Sequence, residues 1–237
     1  MGLLWIWLAG ETSPMKSSVS IVVPTLNEAK DIRALVDRLR ACFPGVEIII
    51  ADGGSEDGTP EMVRDLARLV FSEKGRAHQM NAGARAAAGE ILWFLHADCW
   101  PSERSVDLIV EALEDPAVVG GGFRWGLNGS KWYYGICTSL AHVKNKIRRN
   151  LFGDMGIFVR RAVFEELNGY AEIPICEEVE FNGRLKEKGK IALLDEVLLS
   201  SDRKLLREGP IRAFIKNDII KLAFSLGVSP ETLDRYY

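Results

Sequence analysis

Several short clusters in this chain carry the residue types that handle charged ligands. His96-Ala97-Asp98 follows five consecutive apolar residues, Ile91 to Leu95. So continuous a run suits a strand buried on both faces, as in a parallel sheet covered by helices. Open α/β sheets bind ligands beyond the carboxyl ends of their strands, so Asp98 stands where a carboxylate could handle a metal ion and phosphate. Its competing role is a cap for the helix after Pro101. Asp52-Gly53-Gly54-Ser55 follows a second run, Val46 to Ala51, apolar apart from Glu47. The glycines let a backbone approach a ligand closely, and Asp52 could accept hydrogen bonds from a base or ribose. The same segment also reads as a plain strand-to-helix turn with Thr59 as N-cap before Pro60. The basic turn Glu73-Lys74-Gly75-Arg76 suits phosphate oxygens. Further on, Pro174 blocks an earlier helix start, placing Glu177 and Glu178 in the first turn of a helix that runs to Lys188. The helix dipole stabilises carboxylates there with or without chemistry.

These groups need elements that carry them to one edge. Val19 to Val23 reads as a buried strand ended by Pro24-Thr25-Leu26-Asn27-Glu28. A helix from Ala29 to Phe43 follows, with Ile32, Leu35, Val36 and Leu39 at helical spacing. The strand 46–51, a helix from Pro60 to Leu69, a strand from Val70 to Ser72, a helix from His78 to Ala88 and the strand 91–95 continue the alternation. This βαβαβαβ order predicts an α/β fold with a doubly wound, mainly parallel sheet and helices on both faces. Glu28, Asp52, Arg76 and Asp98 then share one carboxyl edge, suited to a negatively charged ligand bearing a sugar or base. No GxxxxGK[ST] and no helix-opening GxGxxG is present, which argues against a P-loop NTPase and a nicotinamide-type domain.

The second half is less regular. Val118 to Arg124 reads as a strand whose Gly120-Gly121-Gly122 lets another backbone or a ligand come close. A helix from Trp132 to Asn150 ends in Lys144, Lys146, Arg148 and Arg149, cations that complement its dipole. Leu151 to Arg161 reads as a strand, Ile191 to Leu194 as another, and Ser200 to Lys204 as a charged loop that could close over a bound ligand. Pro210 to Leu226 is an amphipathic helix; it could cover its own domain, which is favoured, or lie on a membrane.

The 237 residues suffice for one large α/β domain, and 47% hydrophobic and 27% charged residues are ordinary globular values. A net charge of −3 argues against nucleic acid as a partner. The scattered Cys42, Cys99, Cys137 and Cys176 suggest reduced thiols and a cytoplasmic protein. Residues 1–16 read as an extension whose apolar stretch, Gly2 to Ala9, has no positive flank, with Met15 as an alternative initiator. The expected division is an extension at 1–16, a domain at 17–208 and a helical segment at 209–237.

Val22-Val23-Pro24-Thr25-Leu26-Asn27-Glu28, Ala51-Asp52-Gly53-Gly54-Ser55, Gly75-Arg76 with Asn81-Ala82-Gly83 and Gly89-Glu90, and His96-Ala97-Asp98 together resemble the nucleotide-sugar half of a family 2 glycosyltransferase with the GT-A fold. The resemblance covers Ser17 to about Glu208. It implies an activated sugar donor, usually a UDP-sugar, bound with Mg²⁺ or Mn²⁺, and inverting transfer to an acceptor. Residue by residue, it implies that Pro24, Thr25, Asn27, Glu28, Asp52, Ser55, Arg76, Asn81, His96, Asp98, Asp154 and Arg203 serve the nucleotide sugar. Asp52 would hold uracil or ribose, Arg76 the phosphates, and Asp98 the metal as the last residue of a DxD motif. His96 stands where many members carry Asp. Phe152-Gly153-Asp154 resembles the segment lining the donor sugar, with Gly153 and Gly156 leaving room for a pyranose. Glu177 and Glu178 stand at the family's Glu-Asp pair, and Glu178 takes the general base position with one extra methylene. Within the family, Gly75-Arg76-Ala77, the His-Ala-Asp form and Phe-Gly-Asp are most similar to a bacterial subgroup associated with radical-SAM enzymes and arsenosugar biosynthesis. The acceptor stays open between a small molecule and a lipid-linked one at the inner face of the membrane, and a homo-oligomer stays open too. A sugar nucleotidyltransferase and a non-catalytic nucleotide-sugar module are the competing readings; Pro24 to Glu28 lacks the glycine-rich phosphate loop expected of the former.

Overall fold

The computed structural model describes residues 19–236, so the expectations for Gly2 to Ala9 and Met15 lie outside the described residues. The first half alternates strand and helix as its apolar runs predict: β1 (Val19–Thr25), α1 (Ile32–Cys42), β2 (Glu47–Asp52), α2 (Thr59–Val63), β3 (Arg68–Phe71), α3 (Arg76–Ala86) and β4 (Ile91–Phe94). There follow β5 (Cys99–Trp100), α4 (Ser105–Ala112), β6 (Val118–Asn128), α5 (Tyr134–Arg148), a 3₁₀ turn at Gly153–Met155, β7 (Phe158–Arg160), α6 (Arg161–Glu166), α7 (Glu177–Lys188), β8 (Lys190–Ser201), α8 (Arg203–Glu208), α9 (Pro210–Ser225) and α10 (Pro230–Asp234).

The sheet runs β3-β2-β1-β4-β7-β6-β8-β5. Its first four strands are mutually parallel, while β7 is antiparallel to both neighbours and β5 is antiparallel to β8. Alternate residues of each strand feed two separate cores, because successive side chains of a strand point to opposite faces. Val19, Ile21, Val23, Ile91 and Trp93 pack with Leu35 and Leu39 of α1 and Ile109 of α4. Val22, Ile49, Leu92 and Phe94 meet Met80 of α3, Phe164 of α6 and Phe181 of α7 on the other side. The sheet is therefore covered on both faces, which is why its strands read as unbroken apolar runs.

Several elements differ from the sequence expectation. The helix after Asp57 stops at Val63 and the chain re-enters the sheet at Arg68, because Arg68 extends β3 backwards to pair with Ile49. Leu151 to Arg161 is not one strand: Gly153–Met155 winds into a 3₁₀ turn and only Phe158–Arg160 pairs with β4 and β6. β8 is three times the expected length because it pairs along β6 as far as Asn128. Ser200 and Ser201 end that strand and Arg203 opens α8, so the expected mobile loop is regular structure instead. Gly120 and Gly121 do admit another backbone, since a Cβ on either would strike the carbonyls of Phe158 or Ala192 in the adjoining strands.

The order of strands matters for function. The chain builds outward from β1 through β2 to β3, then crosses back to place β4 on the other flank of β1, so the switch point lies between β1 and β4. Leu95 N–H donates to Val22 O at 2.9 Å as the last bond between these strands. The next ladder donor on β1 would be the amide of residue 24, which as proline has none. The two strands part there, opening a cleft between Pro24-Glu28 and His96-Asp98.

Candidate functional site

One wall of this cleft is a pair of loops latched to each other. Asn27 N–H donates to Ser55 Oγ (2.8 Å), Glu56 N–H to Asn27 Oδ1 (2.9 Å), and Glu28 N–H to Thr59 Oγ1 (2.8 Å). Asn27 adopts φ 56°, a left-handed turn that asparagine tolerates better than most residues. Asp52 is fully buried. Its carboxylate accepts from Thr25 Oγ1 (3.1 Å), Ser55 Oγ (2.6 Å), Gly54 N–H (2.9 Å) and Ser55 N–H (2.8 Å), so it braces the loop from beneath. Thr59 is the first residue of α2 rather than its cap; Gly58 precedes the helix, and Asp57 bonds the Thr59 amide and hydroxyl.

The residues brought to the opposite wall come from far along the chain. Cys176, just before α7, adopts φ 67°, a rare conformation for a residue with a Cβ, and directs Glu177 into the protein, where it is 4% exposed. Behind α7, Phe181 packs against Phe164 and Tyr170, an anchor worth about 2–3 kcal/mol of apolar burial. Glu178 then reaches across the cleft: its Oε1 lies 3.2 Å from His96 Nε2 and its Oε2 accepts Gly153 N–H at 2.7 Å. Arg76, at the start of α3, lies 3.3 Å from Glu177 and 3.8 Å from Glu178. Burial opposes the charge on Glu178, but His96, Arg76 and the Gly153 amide together hold its carboxyl well below the usual range. Burial and the charge of Glu178 push Glu177 the other way, above its ordinary value.

That arrangement explains two glycines. A Cβ on Gly153 would occupy the space of Glu178 Oε1 and His96 Nε2, and one on Gly156 would strike Leu198 and Trp93. The room they leave is therefore filled by this chain's own side chains, not by the pyranose expected from the sequence. Gly153→Ala is expected to push Glu178 and His96 apart and cut activity at least tenfold, while the melting temperature falls by only a few degrees. Parallel thermal melts and donor-turnover assays read the two effects separately.

Asp98 is half-buried at the same mouth, its backbone carbonyl held by Ser201 N–H at 3.2 Å and its Oδ1 4.0 Å from Cys99 Sγ. Burial, then the charge of Asp98, raises Glu28. Burial and the charges of Glu178 and Asp98 raise Asp154 against the opposing pull of Lys221 and His96. Asp98, His96 and Glu178 thus all act on Asp154 across the cleft. Among the described residues no group of three or more His, Cys, Asp or Glu could enclose a metal ion. A hard divalent cation takes oxygen ligands, and Asp98 is the carboxylate at this mouth that would offer one.

Not every sequence-predicted residue faces the cleft. Asn81 is buried in α3, its carboxamide bonded both ways to the Tyr170 backbone at 2.9 Å, so the structure corrects it to a packing clamp. Gln79, two residues earlier, is missed by sequence reasoning; its Nε2 bonds Thr25 O beneath the β1 loop. Arg203 pairs with Asp31 at 2.5 Å and Glu28 at 3.8 Å, on the rim. Asp98 does not cap α4, which starts after Arg104 with no side-chain cap.

A raised carboxyl has a consequence for stability. Glu177 binds its proton more tightly folded than unfolded, so its contribution is fully present below the ordinary value near 4.5 and is lost as pH rises through its raised folded value. Glu177→Gln should therefore flatten the fall in melting temperature between about pH 5 and pH 8.

A parallel sheet with a carboxylate-lined cleft at its switch point, continued by an antiparallel β7, is the architecture of nucleotide-sugar-handling GT-A proteins. The family model "Glycosyl transferase family 2" matches residues 20–166, more than half of the sequence, and the chain belongs to that family. It is 28% identical over 168 residues to the glycosyltransferase AglE of Haloferax volcanii, covering 64% of this chain and 55% of AglE. It is 25% identical over 243 residues to the dolichol-phosphate mannosyltransferase of Pyrococcus furiosus, covering 86% of this chain and 68% of that protein. Among solved structures, the mannosyltransferase PcManGT of Pyrobaculum calidifontis, in complex with GDP-Man and Mn²⁺, has a TM-score of 0.61 at 26% identity and covers 77% of this chain and 56% of its own. Glucosyl-3-phosphoglycerate synthase of Mycobacterium tuberculosis, with Mn²⁺ and UDP-glucose, has a TM-score of 0.62 at 21% identity, covers 89% of this chain and 79% of its own, and supports the fold alone. The chain spans about half the length of AglE, and 24% and 36% of two further relatives.

Proposed function

We propose that this protein transfers a sugar from a nucleoside diphosphate donor, a UDP-sugar in the simplest case, to an acceptor nucleophile with inversion at the anomeric carbon. The observation that carries this reading is the convergence of Asp98, Asp154, His96 and Glu178 at the β1/β4 switch point. On this reading the latched Asn27-Ser55 loops receive the nucleoside; Asp52 serves it by fixing their backbone, together with Pro24, Thr25 and Glu28. Mg²⁺ or Mn²⁺ on Asp98 would neutralise the leaving diphosphate. Asp154 takes a hydroxyl of the donor sugar.

Glu178 accepts the acceptor's proton as the new bond forms. Arg76 supports both ends of this chemistry: half-exposed, it can turn to the donor phosphates, and its departure from the glutamate pair raises the basicity of Glu178 once the donor is bound. His96 keeps Glu178 aimed. Direct displacement needs one base, a held donor and a stabilised leaving group, and no covalent nucleophile.

The acceptor is a small molecule or a lipid-linked phosphate, the latter by analogy with the dolichol-phosphate mannosyltransferase of Pyrococcus furiosus. The protein works in the cytoplasm or at the inner face of the membrane, within the subgroup linked to radical-SAM enzymes and arsenosugar biosynthesis. Residues 17–208 form the transferase domain and 209–237 its helical cover. Calorimetry with UDP and Mn²⁺, followed by a donor-hydrolysis assay across a panel of sugar nucleotides, tests the reading. Binding with turnover supports it; binding without turnover leaves only a binding module, and pyrophosphate release from a nucleoside triphosphate replaces it with a nucleotidyltransferase.

A further inference from the structure

A helix on the surface of a globular protein normally turns its apolar residues inward. α5 does the reverse. The residues it buries are Tyr134, Thr138 and Asn145, whereas Ile136, Leu140, Val143 and Ile147 are between 54% and 79% exposed. Their spacing of four, three and four places them on one stripe, directly opposite the buried side. α9 also carries an outward apolar stripe, in addition to its inward one. Ala213 and Ile220 are buried against the domain, while Ile215, Ile219, Leu222 and Leu226, at the same spacing, are between 55% and 77% exposed.

The two helices are neighbours. Lys144 of α5 binds both carboxylate oxygens of Asp218 in α9 at 3.1 Å, and each residue sits on the flank of its helix's stripe. The stripes therefore form one outward apolar face, of the kind that marks a docking surface.

Charge selects the occupant. Residues 131–153 contain five Lys or Arg and no Asp or Glu, in a chain whose net charge is −3. Lys131, Lys146, Arg148 and Arg149 are exposed beside the stripe. The two carboxylates close by are engaged, Asp218 by Lys144 and Asp195 by Lys146 and His142. A second copy meeting this face by twofold symmetry would set cations against cations. An anionic lipid surface meets both the apolar stripe and its basic border. Among the described residues no helix is long and apolar enough to cross a membrane, so the contact would lie in the plane of the interface.

We propose that α5 and α9 together dock this protein on an anionic lipid surface. The 3₁₀ turn beside Asp154 packs against the inner sides of the same two helices: Asn145 Nδ2 of α5 lies 3.6 Å from Met155 Sδ, and Lys221 Nζ of α9 sits 3.5 Å over the Phe152 ring. Docking thus sets only the thickness of these two helices between the lipid surface and that turn. The docking rests on the helix faces alone; its use in reaching a lipid-linked acceptor rests on the function proposed above.

Flotation of the full chain with phosphatidylcholine vesicles, with and without about 30% phosphatidylglycerol, tests it without reference to turnover. Binding is expected only to the anionic vesicles and should weaken as salt is raised. Leu140→Glu and Leu222→Glu, on separate helices, should each reduce partitioning at least tenfold, and Arg148→Glu about fivefold or more, with melting temperature and donor hydrolysis unchanged. No binding, or equal binding to both vesicle types, overturns the proposal. So does a dimer in sedimentation that Leu140→Glu dissolves, which would assign the face to a second copy. A marked fall in melting temperature for Leu140→Glu would show the face covered by another part of this chain, with the same consequence.

Discussion

Glu178→Gln is expected to lower the rate of sugar transfer by about 10²–10⁴-fold, the usual contribution of a positioned general base, while donor affinity stays within a few-fold. Glutamine keeps the length of the side chain and can still accept Gly153 N–H, so the 3₁₀ turn should keep its place. It loses the charge that His96 and Arg76 hold in the ionised form. The effect should fall on kcat, because the proton is taken only as the bond forms. Single-turnover assays with saturating donor read this directly. Wild-type transfer by the variant would remove Glu178 from the mechanism and leave Glu177 or water as the base.

Asp98→Ala should cost about a hundredfold or more in kcat/KM and abolish the Mn²⁺-dependent part of UDP affinity. Among the described residues the side chain's hydrogen-bonding contact is a long one, 4.0 Å to Cys99 Sγ, and its backbone tie to Ser201 does not depend on it, so the fold should survive. Removing Asp98 also takes away a charge that raises Glu28 and Asp154, and both should move back toward ordinary carboxyl values. Calorimetry of UDP with and without Mn²⁺ separates the metal contribution from the nucleoside contribution. A variant that still binds UDP more tightly in Mn²⁺ than in its absence would place the ion elsewhere.

The parallel half of the fold was legible because its strands announce themselves as apolar runs with polar residues at their ends. Continuous runs such as 91–95 arise only where both faces are covered, and both proved covered. The second half was less legible because its elements are defined by partners rather than by local pattern. β8 extends to Ser201 only because β6 lies beside it, and Gly153–Met155 curls because Glu178 and His96 occupy the space a strand would need. Site residues followed the same division. Asp52 and Asp98 could be placed at strand ends from sequence alone, whereas the turning of Asn81 into the core and of Gln79 toward the loops depends on the rotation of α3 against β1. The outward stripe of α5 was hidden for another reason: an inverted helix has the same periodicity as an ordinary one, and only the packed domain says which side is which.

The bonds that close the cleft join residues remote in the chain: His96 to Glu178 across 82 positions and Arg76 to Glu177 across 101. Contacts so distant form late, since a long loop must be closed before they can be made. A nascent polypeptide emerging from the ribosome would complete its parallel strands and nucleoside shelf well before the glutamate pair is synthesised. Such a partial product could hold a nucleotide yet have no means of spending it, so competence for reaction would arrive in a single late step, with the docking of α7.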